Sequence, residues 1–261
     1  MTNGEYRLTP GVSRSDLWQM SKSPMHYQYA LTHPSPITPA LLFGSAQHKM
    51  VLEPEDFYDE YAVMPFWIDR RTKAGKEEYE QFLEEAGDRE IITQDQYVQI
   101  LEMLDALKQN RTAWELLQGE HEQSFFWTDR ETGIDCKVRP DVITTYNGKP
   151  YLVDYKTTDS CADGHFESSC RRYGYKFQAG MYTEGMFEST LQEYGFAFVA
   201  QEKTPPYVSR VYICDEDFII EGLDQFRTYL GMLKYCQDTG DWYGYDGPEH
   251  EVSTLGGTES D

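Results

Sequence analysis

The sequence predicts an α+β (α/β) fold in which a helical N-terminal portion precedes a mixed sheet flanked by helices. Three observations predict it. Apolar residues recur at helical spacing up to residue 117, as in Tyr97, Ile100, Leu101, Leu104 and Leu107. From Glu122 the period turns extended, opening with Ser124-Phe125-Phe126-Trp127. Asn147-Gly148 then stands between two strand-like runs, the residue pair that a tight hairpin favours.

Taken in order, residues 13–31 read as a helix capped by Ser13 or Ser15, with Leu17, Trp18 and Met20 on its apolar faces and Pro24 breaking or restarting it. Thr32 to Pro39 holds three prolines in eight residues and reads as a loop. A helix follows over 40–52, ended by Pro54, and 55–75 reads as irregular. Amphipathic helices are expected over 75–86 and 94–117. Thr132-Gly133 is a turn, Ile134 to Ile143 alternates, and the hairpin joins that run to Tyr151 to Lys156, giving three consecutive antiparallel strands. A helix over 174–189, strands over 195–201 and 207–214, and a helix from Asp215 to Cys236 complete the pattern. One domain over 1–236 is expected, helical to residue 120 and sheet-containing from 121, with 237–261 an acidic disordered tail.

Composition narrows the function classes. No run of 18 apolar residues and no secretory start are present, so the expectation is a cytoplasmic protein without a membrane partner. Five cysteines without CxxC spacing argue against a disulfide framework or a zinc knuckle. Lys and Arg number 23 against 45 Asp and Glu, a net charge of −22 that opposes loose binding to nucleic acid. The charge is uneven: residues 137–176 hold seven bases against five acids.

Within that stretch lies the chemistry. Arg139-Pro140-Asp141 and Asp154-Tyr155-Lys156 end two strands that the hairpin joins, and in a strand Asp154 and Lys156 point to one face. Two neighbouring carboxylates repel and call for a counter-charge, which a hard divalent cation such as Mg²⁺ supplies. Lys156 on the same face would stabilise developing negative charge or position water. A DxK alone is an ordinary surface ion pair. Company changes its meaning: Gly44-Ser45-Ala46-Gln47-His48 places a histidine on a helix after small residues, and Gln178 and Tyr182 share a helical face.

The order GxxxH, Asp, DxK, QxxxY resembles the RecB-like branch of the PD-(D/E)XK nucleases, with DxK in place of ExK. Ser13-Arg14-Ser15-Asp16-Leu17, Ser23-Pro24-Met25-His26-Tyr27, Phe43 to Pro54 and Arg71-Thr72-Lys73-Ala74-Gly75-Lys76 look like RecE-type exonucleases (the exonuclease VIII C-terminal domain), over roughly residues 8–236. The resemblance implies a restriction-endonuclease-like core. It implies Asp141 and Asp154 on catalytic Mg²⁺ (Mn²⁺ as a substitute), with Tyr155 and His48 as further metal or supporting groups. Lys156 would orient the attacking water, and Gln178 and Tyr182 would hold the motif or the substrate backbone. Glu122 sits where such folds sometimes supply another acid. Arg139 and the patch Arg70, Arg71 and Lys73 are DNA-contact candidates. The implied activity is 5′→3′ degradation of linear double-stranded DNA, leaving 3′ tails for a RecT-type annealing protein. The implied assembly is a ring-shaped homo-oligomer. The long N-terminal extension of full-length family members is absent, so a nuclease domain alone is expected. Two alternatives stay open: another RecB-clan nuclease, or an acidic DNA-mimic protein on a nuclease scaffold.

Overall fold

Caps and prolines set the boundaries of the N-terminal helices. The computed structural model describes residues 1–249. α1 (Asn3–Leu8) opens on a Thr2/Glu5 capping box and α2 (Arg14–Leu17) on a Ser13/Asp16 box. A 3₁₀ turn (Trp18–Ser21) and α3 (Pro24–Thr32) complete the segment expected as one helix; Ser23 caps α3, and Pro24 at its first position restarts the chain. α4 (Pro39–Leu52), capped by Thr38, and α5 (Phe57–Glu60) lead to β1 (Tyr61–Met64). Then come α6 (Lys73–Ala86), β2 (Glu90–Thr93), α7 (Gln94–Gln109) and α8 (Arg111–Leu116). The segment expected to be irregular thus contains a strand, because β1 pairs in parallel with the distant β2. The helix expected over 94–117 is interrupted at Asn110, whose side chain accepts the Ala113 N–H at 3.2 Å and caps α8.

The sheet region comprises β3 (Glu120–His121), β4 (Phe125–Thr128), β5 (Asp135–Val138), β6 (Val142–Tyr146), β7 (Lys149–Thr158), α9 (Asp163–Tyr173), α10 (Tyr175–Thr190), β8 (Gly195–Glu202), β9 (Ser209–Ile213) and α11 (Glu216–Thr239). The central sheet has the order β3-β6-β7-β8-β9, while β4 and β5 form a separate two-stranded ribbon. Three consecutive strands in one sheet are therefore not formed. The run 134–143 is divided at Arg139-Pro140-Asp141, where Pro140 has no N–H for a ladder. The β6–β7 hairpin turns at Asn147-Gly148, both at positive φ (51° and 77°), as the residue pair predicts. β7 and β8 run parallel, joined by α9 and α10. The core is mixed α/β, as the period change at Glu122 predicts.

Both faces of the sheet are covered. Val51, Leu107, Leu116, Val142, Val153 and Val199 fill the side under α4, α7 and α8. Leu152, Phe166, Ala179, Phe196 and Phe198 fill the side under α9 and α10. Strand alternation therefore sends Asp154 and Lys156, in phase with Leu152, toward α10. α10 lies unusually close to α11: a Cβ on Gly180 would meet Leu223 N at 2.1 Å, and one on Gly222 would meet the Lys176 carbonyl at 1.8 Å. The expected tail boundary moves outward. α11 reaches Thr239, Trp242 stacks on Tyr27, and the Met25 N–H donates to the Tyr243 carbonyl at 3.1 Å. The rest of the expected tail, 250–261, lies outside the described residues. Among the described residues no helix is long and apolar enough to cross a membrane.

Candidate active site

Four backbone elements converge on one place. α4 presents His48, and Gly44 one turn earlier lets the helix lie against the end of β7, where a Cβ would sit 3.4 Å from Thr157 Oγ1. The proline-broken link between β5 and β6 places Asp141 just before its strand. β7 delivers Asp154 and Lys156 to the α10 side, and α10 returns Gln178 and Tyr182 one turn apart. Glu122, just after β3, adopts a left-handed backbone (φ 53°) and donates its N–H to the Asp141 carbonyl at 3.0 Å. Such a conformation is costly for a residue with a side chain and concentrates at functional sites.

The side chains form two linked groups. His48 Nε2 lies 2.9 Å from Asp141 Oδ2, and His48 Nδ1 lies 3.7 Å from Glu122 Oε1. These three residues offer one ligand atom each, all within 4.8 Å of one another. Asp154 stands beside them rather than among them. Its Oδ1 is 2.6 Å from Lys156 Nζ, and its Oδ2 accepts from Gln178 Nε2. Asp141 Oδ2 also accepts the Tyr155 N–H at 2.7 Å, which ties the first group to β7. The two groups border a cavity of about 640 Å³, which Gln178 and Tyr182 also line.

Electrostatics separates the roles. Burial alone would lower His48, but the charge and hydrogen bond of Asp141, then Glu122 and Asp154, raise it to about 9. Asp141 is pushed up by burial, yet His48, Lys156 and the Tyr155 N–H hold it below the ordinary carboxylate range. Asp154 is raised, by burial and by the Asp141 charge, against Lys156. Burial and Asp141 likewise raise Glu122 against His48 and Arg139. Burial lowers Lys156, but Asp154, Tyr175 and Asp141 overcome it, so the amine stays a cation. Tyr182 is pushed far up by burial, with Tyr6, Asp154 and Asp141 adding to it, and remains a phenol.

Two carboxylates held above their usual range mark a site short of positive charge. Gln178 Oε1 is buried there with no hydrogen-bond partner among the described residues. Carboxylates, an imidazole and a spare amide oxygen are a donor set that fits a divalent cation of the Mg²⁺ or Mn²⁺ kind.

Some expected residues sit elsewhere. Arg139 lines the cavity but is engaged within the protein: it is 8% exposed, pairs with Glu122, and donates to Ser124 Oγ at 2.7 Å and the Met1 carbonyl at 3.1 Å. Burial of the guanidinium beside a carboxylate makes it a clamp on Glu122. The Tyr155 side chain points away from the carboxylates, as strand alternation requires. Its hydroxyl accepts from Gln47 Nε2 at 3.2 Å and donates to Gln201 Oε1. Only its carbonyl, on the same strand edge as the N–H that meets Asp141, faces the ion side. Arg70, Arg71 and Lys73 are exposed around the start of α6 and line neither the 640 Å³ cavity nor a second one of about 410 Å³ bordered by His48, Glu122 and Lys156.

Sequence reasoning missed Arg14 as a site residue. Its guanidinium donates to the Tyr173 and Gly174 carbonyls at the end of α9, the residue lines the cavity, and its buried Nε has no hydrogen-bond partner among the described residues. The signal was its place in the Ser13-Arg14-Ser15 motif. It also missed Gln47 and Gln201, the fully buried amides that hold Tyr155. Gln201, a lone amide at the end of an apolar strand, was the readable one.

Comparison with known proteins agrees with the fold. No curated protein matches the chain in sequence. The crystal structure of a protein from Eubacterium rectale named "Putative exonuclease" superposes with a TM-score of 0.66 at 14% identity, over 97% of this chain and 94% of that one. At that identity the likeness concerns the fold. The structure of SSO0001 aligns at a TM-score of 0.28 and 15% identity, over 81% of this chain and 84% of that one, and no inference rests on it. Residues 13–248 match the PDDEXK-like domain of unknown function (DUF3799), and the chain belongs to that family.

Proposed function

We propose that the protein is a divalent-metal-dependent DNA exonuclease that hydrolyses phosphodiester bonds of linear double-stranded DNA. The observation that carries this reading is the His48–Glu122–Asp141 triad within 4.8 Å, set beside the Asp154–Lys156 ion pair at 2.6 Å. Asp141, Glu122 and His48 would hold Mg²⁺, or Mn²⁺ in its place, with Asp154 and the Tyr155 carbonyl next to them. When bound, the cation supplies charge neutralisation at the phosphate and lowers the pKa of water. Lys156, kept cationic by Asp154, orients the nucleophile and stabilises negative charge as it develops. Gln178 and Arg139 act through others, fixing Asp154 and Glu122 respectively. Tyr182 offers a neutral phenol to the substrate backbone.

The finer reading follows the RecE resemblance: 5′→3′ polarity, 3′ single-strand tails passed to a RecT-type annealing protein, and a ring of copies enclosing the duplex. Enclosure would offset the weak electrostatic grip of so acidic a chain.

The test is degradation of blunt linear duplex with Mg²⁺, using EDTA and closed-circular controls. Lys156→Ala and Asp154→Ala should each lower the rate by at least about 10²-fold, the scale of losing a transition-state charge partner, with unchanged circular dichroism. Wild-type rates in either variant would reject the site.

A further inference from the structure

The loop between β1 and α6 displays two aromatic rings that stay largely uncovered among the described residues. Phe66 is 80% exposed and Trp67 65%, with their rings edge to face at 5.3 Å. Large rings so exposed are costly to leave in water and commonly mark a binding surface. The loop that carries them is braced. The Ile68 N–H donates to the Pro65 carbonyl, Asp69 binds the Arg71 guanidinium and N–H, and Thr72 donates to the Asp69 carbonyl. Gly75 packs so close that a Cβ there would meet Asp69 O at 2.0 Å.

Charge identifies the occupant. Residues 64–76 hold four bases (Arg70, Arg71, Lys73 and Lys76) against one acid, Asp69, in a chain of net −22. Arg70 lies over the Tyr79 ring at 4.3 Å and makes no ion pair among the described residues. Further along α6, Glu77, Glu78 and Glu80 restore the negative field, so attraction is confined to the ring-bearing loop. Rings for stacking beside cations for phosphates are what a single strand needs, because its bases expose their faces; a duplex hides them.

We infer that Phe66, Trp67 and Arg70 form a binding platform for an unpaired DNA strand, separate from the catalytic cavity. The inference rests on the nuclease reading only for the origin of that strand, and its test needs no cleavage.

Anisotropy of a labelled thirty-residue oligothymidylate is titrated in EDTA with wild type and Phe66→Ala/Trp67→Ala, alongside an abasic oligomer of equal length. Stacking of a single base is worth roughly 5- to 150-fold in affinity. The double variant should lose affinity on that scale for oligothymidylate and bind the abasic oligomer as wild type does. Equal oligothymidylate binding by wild type and double variant would overturn the inference, as would equal losses on the two probes. Failure of wild type to bind oligothymidylate would also overturn it and would turn attention to a protein partner for the rings. Loss of cleavage in Lys156→Ala bears on the catalytic site alone.

Discussion

At the scale of single residues, His48 couples protonation to cation binding. Its folded pKa is raised to about 9 from 6.5. By linkage, the stability it contributes without metal is fully present below pH 6.5 and is lost as pH rises through 9. A cation on the same imidazole needs the neutral form, so its affinity should change in the opposite sense. Thermal melts in EDTA should therefore fall between pH 7 and 9, and Mn²⁺ should raise the melting temperature more at pH 8.5 than at pH 6. A Mn²⁺ shift that is flat or larger at pH 6 would remove His48 from the cation site. Asp141, Asp154, Lys156, Gln178 and Tyr182 were legible because their spacing on strand and helix puts them on shared faces. Arg139 was misread because sequence cannot show that a neighbouring carboxylate claims a guanidinium. The demotion of Asp154 from the tight triad was equally hidden: it depends on Lys156 and Gln178 reaching its two oxygens, a matter of rotamers.

At the scale of elements, the placement of α10 depends on two glycines. Gly180 and Gly222 let α10 and α11 cross with backbones in contact, and any Cβ would have to displace main chain. Overpacking at such a contact typically costs about 1–3 kcal/mol, so Gly222→Ala should lower the unfolding free energy by about that much, read from the shift in denaturant midpoint. Because Gln178 lies between Lys176 and Gly180, the two α10 positions that meet Gly222, the rate should fall further than stability alone explains. A variant with native stability and rate would show the crossing to be tolerant. Helices with strong caps or prolines, and the Asn147-Gly148 hairpin, were readable locally. The β1–β2 pair was not, since each strand is four residues long and finds its partner some thirty residues away. The division of 134–143 was signalled by Pro140 and overridden in reading by the alternation around it.

At the scale of the whole molecule, an acidic chain keeps its cations where they act. Against a net −22, the 640 Å³ cavity gathers Arg7, Arg14, Lys137 and Lys156 around the carboxylates. Composition alone argues against nucleic acid, and the proposed function rests instead on where these cations are placed. The same cavity has an unexpected wall. Lys137 Nζ donates to the Tyr6, Arg7 and Thr9 carbonyls (2.6–3.3 Å), Arg139 holds the Met1 carbonyl, and Asn3 lines both cavities beside the site. Whatever is fused ahead of Met1 must therefore emerge beside the reaction chamber. An affinity tag placed there should depress turnover on duplex ends, and proteolytic removal of the tag should restore it. Equal rates before and after removal would mean that α1 can swing clear without consequence. For anyone purifying this protein, the choice of which terminus to label decides what the first activity measurement reports.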